Sequence, residues 1–117
     1  MKTENFKNLY DRADAAAKAA VEDLSVVPMH VRSGNTVYVV EDGPCGFAWV
    51  ELKPANCGFA KWLRAEELAE KRYGGPGVSM WIGAYNQSYE KKRAYAGAFA
   101  KVLQGEGLNA RSGSRMD

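Results

Sequence analysis

Apolar positions recur at spacings of three and four over residues 4–24, where Phe6, Leu9, Tyr10, Ala13, Ala17, Ala20, Val21 and Leu24 share one face. Lys7, Asp11, Asp14, Lys18 and Glu22 fall mostly elsewhere. This period marks an amphipathic helix, with Thr3 as an N-cap and Pro28 stopping it beyond Ser25. Its face is rich in alanine, so the N-terminal segment 1–25 can approach a neighbour closely while burying little area per residue. That neighbour is either the sheet or a second copy of the chain in a homodimer.

The period then shortens to two. Residues 28–32, 36–40 and 46–52 alternate between turns at Ser33-Gly34-Asn35 and Glu41-Asp42-Gly43-Pro44, which predicts a three-stranded antiparallel meander. In its last strand Phe47, Trp49 and Glu51 share one face and Ala48, Val50 and Leu52 the other. Phe47 and Trp49 read as core under a helix, since large aromatics mostly serve burial; the alternative is a stacking platform for a base or a peptide. Asn56 then caps a helix over 57–72, with Phe59, Trp62, Leu63 and Leu68 inward, and Gly74-Gly75-Pro76-Gly77 ends it.

The run 73–117 reads as strand, helix, strand. Val78, Met80, Ile82 and Ala84 alternate with Ser79, Trp81, Gly83 and Tyr85. Asn86 or Ser88 caps a helix whose Tyr95, Ala98, Phe99, Val102 and Leu103 fit i, i+3, i+4, i+7 and i+8, and a strand follows over 108–115. A crossover helix implies that these two strands run parallel, with room for another between them. The expected architecture is α+β: a single domain with a mixed sheet of about five strands covered by helices, in the order α-β-β-β-α-β-α-β.

The length of 117 residues suits one domain with one core. Hydrophobic residues at 46% and charged residues at 26% are ordinary globular values. The net charge of +2 hides an asymmetry. Residues 1–60 carry six Lys/Arg against eight Asp/Glu, and residues 61–117 carry ten against six, so the positive potential belongs to the second half and hints at an anionic partner.

Cys45 and Cys57, with His30 as the single histidine, are too few for a structural zinc site and read as reduced thiols. No apolar stretch suggests a signal peptide or a membrane span, so the expected location is cytoplasmic. No phosphate-loop or dinucleotide fingerprint occurs, since the glycine run follows a helix instead of opening one. A Cys45–His30 thiolate pair is a third and weaker reading, that of a small thiol enzyme. Cofactor, metal and catalytic residues are therefore expected to be none.

Binding chemistry is better represented. Lys91, Lys92 and Arg93 open the last helix, Arg111 and Arg115 follow it, and Trp81, Tyr85 and Tyr89 lie among them. Cations neutralise phosphates and aromatics stack on unpaired bases; the bland reading is a solvated helix face. Residues 112–117 are either a flexible tail or an arm that holds an anion or a partner's carboxylate.

The motifs Cys-Gly-Phe-Ala-Trp-Val at 45–50, Phe-Ala-Lys-Trp-Leu at 59–63, Tyr-Gly-Gly at 73–75 and the terminal Ser-Gly-Ser-Arg-Met-Asp resemble small uncharacterised proteins of tailed phages and prophages over roughly residues 43–117. The resemblance implies a phage-encoded accessory protein, acting in the cytoplasm of a bacterial host, and assigns no catalytic residue. The leading expectation is therefore a binding module for a host or phage protein, working through Trp81–Arg115. The alternative is a nucleic-acid-binding accessory protein using the basic helix 88–104 and the arginine-bearing last strand.

Overall fold

A computed structural model describes residues 3–24, 29–33, 36–40, 45–72, 75–85 and 88–116, with side chains omitted before residue 5 and over 29–40. The described residues form α1 (Thr3–Glu22), β1 (Met29–Ser33), β2 (Thr36–Val40), β3 (Gly46–Lys53), α2 (Gly58–Ala65), β4 (Glu70–Lys71), β5 (Val78–Trp81), α3 (Tyr89–Gly105) and β6 (Asn109–Met116). The class is α+β. A four-stranded sheet has the order β4-β5-β3-β6, and β1 and β2 form a separate two-stranded antiparallel sheet.

The long strand β3 organises the sheet. Ala48, Val50 and Leu52 are each at most 3% exposed and join the core with Val78, Met80 and Ala110 from the flanking strands. Helix α3 lies across β3 and β6, and α1 runs along α3. Leu9, Ala13 and Ala17 of α1 are buried, so the alanine-rich face is spent on close approach to α3. Phe6 meets Phe59 of α2, and Tyr10 sits between Trp62 and Phe99. Of the predicted α3 stripe, Tyr95, Phe99 and Leu103 are buried and Ala98 and Val102 half-buried, while Ala96 and Ala100 complete the buried face.

Both ends of α3 follow capping rules. Ser88 is the N-cap, its hydroxyl accepting from Lys91 N–H at 3.3 Å. Gly107, at φ +83°, lets Leu108 N–H reach Leu103 C=O, which closes the helix and turns the chain into β6.

Several expectations are corrected. The meander does not form: β2 pairs with β1 alone, while both edges of β3 are taken by β5 and β6. The sheet is not mixed. β5 and β6 do run in the same direction, but β3 lies between them and is antiparallel to each. Cys57, not Asn56, is the N-cap of α2.

That helix stops at Ala65 because Glu67 takes a left-handed φ of 60°, and Leu68 N–H then bonds Leu63 C=O. The freed chain supplies β4, so the described part of the glycine run, 75–77, lies between β4 and β5 and not at the end of α2. There Gly77, at φ +99°, lies where a Cβ would come within 2.4 Å of the Leu52 carbonyl. β5 ends at Trp81, leaving Ala84 exposed instead of in the core. Finally, the predicted last strand is present as β6 and runs one residue further, to Met116: residues 112–116, for which a flexible tail was one of two readings, pair with Val50 through Gly46.

Candidate functional site

The helices cover one face of the sheet, and the alternation of β3 delivers Phe47, Trp49 and Glu51 to the other. This overturns the reading of Phe47 and Trp49 as core under a helix: both are only half-buried. Register places Trp81 and Gly113 on either side of Trp49, Ser79 and Arg111 on either side of Glu51, and Arg115 beside Phe47. The result is an aromatic row bordered by arginines.

Trp49 is held rigidly. A Cβ on Gly113 would come within 2.5 Å of the indole, so the ring lies directly over that glycine. The indole N–H donates to Glu51 Oε1 at 3.0 Å, and the ring of Trp81 leans on it at 4.8 Å between centroids, tilted by 41°. Trp81 itself is 49% exposed. The pair thus presents one anchored indole and one open to a ligand.

Glu51 is the electrostatic hub. Its side chain is 8% exposed, and it accepts from Arg111 Nε at 2.6 Å with Arg72 at 3.5 Å. Burial alone would raise its carboxyl, but the hydrogen bonds from Trp49 and Arg111 and the charges of Arg111 and Arg72 outweigh it and hold the group below the usual carboxylate range. Trp49, Glu51, Glu70, Lys71, Arg72, Ser79 and Trp81 line a hollow of about 280 Å³ on this face.

The structure divides the residues singled out from sequence. Trp81, Arg111 and Arg115 meet on the open face. Lys92 is buried, its ammonium 5.7 Å from the centre of the Phe47 ring, with the Arg115 guanidinium at the same distance. Tyr89 Oη lies 3.2 Å from Ser114 Oγ, tying α3 to β6. Arg93 is exposed in a shallow hollow with Leu24, Glu90 and Gly97. Lys91 is half-buried in the first turn of α3. The three consecutive cations Lys91, Lys92 and Arg93 therefore form no single face.

Tyr85 belongs to a second hollow of about 210 Å³, lined also by Tyr10, Asp14, Lys18, Tyr95 and Trp81. Tyr95 donates a short hydrogen bond to Asp14, which Lys18 also meets at 3.0 Å. Burial and then the Asp14 carboxylate push the Tyr95 phenol far up, while burial and that same neighbour raise Tyr10. Asp14, penalised by burial, is nonetheless held low by Tyr95 and Lys18. This cluster fastens α1 to α3.

Both cysteines are free thiols, Cys45 exposed and Cys57 half-buried. The Cys45–His30 pairing falls outside the described residues, because β1 carries no described side chains. Among the described residues no three His, Cys, Asp or Glu side chains converge, and no helix is long and apolar enough to cross a membrane.

Sequence reasoning gave Arg72 no part in the site, because it lay inside a predicted helix. Glu51 was placed on the right face but without its partners. No family model, curated protein or solved structure matches the chain. What the site can do follows from its own geometry: it offers flat aromatic surface and guanidinium groups on a rigid sheet.

Proposed function

We propose that this chain is a small binding module, of the accessory kind its phage resemblance implies, and that its open sheet face takes single-stranded nucleic acid. One observation carries the reading: Trp81, half-exposed, is braced by an indole that Gly113 and Glu51 hold in place, with Arg111 and Arg115 across β3. Stacking on a base needs an aromatic surface that does not collapse, and neighbouring guanidiniums suit phosphates. This keeps the arginine-bearing last strand of the nucleic-acid reading and replaces the basic helix 88–104 with the open sheet face. A protein partner is the second reading, favoured by the outer edge of β6.

Fluorescence anisotropy with a labelled oligo-dT or oligo-U tests the first. Affinity is expected to fall steeply with salt. Trp81→Ala should weaken binding by about 1–3 kcal/mol, roughly five- to 150-fold, and Arg115→Ala should flatten the salt slope by about 0.7. Binding that ignores salt, or a Trp81→Ala protein with unchanged affinity, rejects the reading.

A further inference from the structure

Beyond the open face, we infer that β6 is a docking edge for an extended, acidic segment of a partner protein. The geometry starts from one bond. Ile82 N–H bonds Ala48 C=O, so the backbone groups of Ala48, and by alternation those of Val50 and Leu52, point toward β5. Those of Phe47, Trp49 and Glu51 then point toward β6 and engage Arg115, Gly113 and Arg111. It follows that Ala110, Ser112, Ser114 and Met116 turn their N–H and C=O groups outward. At the near end Gln104 Nε2 already donates to Ala110 C=O at 2.8 Å. From Ser112 onward no backbone hydrogen bond reaches the outer edge among the described residues.

An unpaired edge with no proline invites an added strand. An antiparallel guest would exchange backbone bonds with Ser112 and Ser114, and its residues opposite Arg111, Gly113 and Arg115 would lie on the open face. Those three positions prescribe a pattern: a carboxylate, an apolar residue opposite Gly113 beside the half-buried Trp49 ring, and a second carboxylate four residues from the first. In the two registers centred on Gly113 and Ser112, charge disfavours a second copy of the chain in place of this guest. Pairing of two β6 strands about Gly113 would oppose Arg111 to Arg115, which destabilises, and pairing about Ser112 brings neither arginine a carboxylate.

The probe is a labelled seven-residue peptide, Thr-Glu-Thr-Leu-Thr-Glu-Thr, blocked at both ends and measured by anisotropy against the full chain. Saturable binding is expected. N-methylation at its third and fifth residues, which removes the amides facing β6, should weaken binding about tenfold or more, whereas N-methylation at the fourth should not. Lysine in place of both glutamates should abolish binding to the native chain and restore it to Arg111→Glu/Arg115→Glu. Equal effects of methylation at all positions, or no binding of the acidic peptide at about millimolar concentration, overturns the inference. A chain that sediments as a dimer and ignores the peptide overturns it in favour of a second copy. Peptide methylation leaves oligonucleotide affinity untouched, so this inference and the nucleic-acid reading fail separately.

Discussion

Ala48, Val50 and Leu52 on one side of β3 and Phe47, Trp49 and Glu51 on the other come from six consecutive positions with opposite fates. The small and aliphatic set is sealed beneath α3. The large aromatic and charged set lies on the opposite face, where Trp49 and Glu51 are cross-braced by hydrogen bonds, a glycine contact and two arginines, and Lys92 of α3 reaches the Phe47 ring. Residue size therefore does not follow depth in this sheet. The aromatic side chains that could bury the most area are the ones left partly open, while the core is completed by α1 and α3.

The comparison is broken most severely on the covered side. Phe99 is fully buried, in ring contact with Tyr10 and Tyr95. Phe99→Ala leaves a cavity where α1, α3 and the sheet meet, and should cost about 3–5 kcal/mol, a large part of the roughly 5–15 kcal/mol that holds a domain folded. Urea denaturation should show a lower midpoint with an unchanged slope; a midpoint shifted by less than about 1 kcal/mol would mean that the two helices do not share this core.

Glu51→Gln comes next. It keeps the shape of the side chain while taking the charge from under Arg111 and Arg72, and should cost about 2 kcal/mol at neutral pH. The sign with pH is fixed by the direction of the shift. The folded carboxyl titrates below its ordinary value of 4.5, so its stabilisation is present above that pH and is lost as pH falls through the lower folded value. Wild-type and variant midpoints should therefore converge in acid, below about pH 4.5. A gap that persists there would mean that the carboxylate's charge is not what matters.

The sequence showed these faces unequally. The period of α3 and the alternation of β3 were both legible, because each is a local pattern set by one element's own burial. What joins strands is not local: Glu51 and Arg111 lie sixty positions apart, and nothing in either neighbourhood names the other. Strand adjacency failed for the same reason, since β2 alternates as well as β5 does, and β6 brings only Ala110 to the core that β3 and β5 share. Arg72 was hidden by the early stop of α2, which rests on a glutamate in a conformation glycine usually supplies. Trp81, Arg111 and Arg115, which share the open face, were singled out because aromatic and basic residues on strands announce themselves by type. The basic turn 91–93 announced itself too, yet helical geometry sent its side chains in different directions.

The smallest stability effect sharpens the comparison most. Trp81 exposes about half its surface and leans on the ring of Trp49, which Gly113 and Glu51 hold independently. Trp81→Ala therefore removes a lid without opening the core, and should cost about 1 kcal/mol or less. Trp49 fluorescence should shift to the red as its uncovered face meets water, while the urea slope stays the same. Set beside Phe99→Ala, equal removal of an aromatic ring would then differ several-fold in cost between the two sides of one sheet. If Trp81→Ala instead destabilises as much as Phe99→Ala, the open face is a second core and its indole is not free for a base. If the stability loss is small and oligonucleotide affinity falls, the side chain serves binding at little expense to the fold, which is the division of labour that β3 lays out.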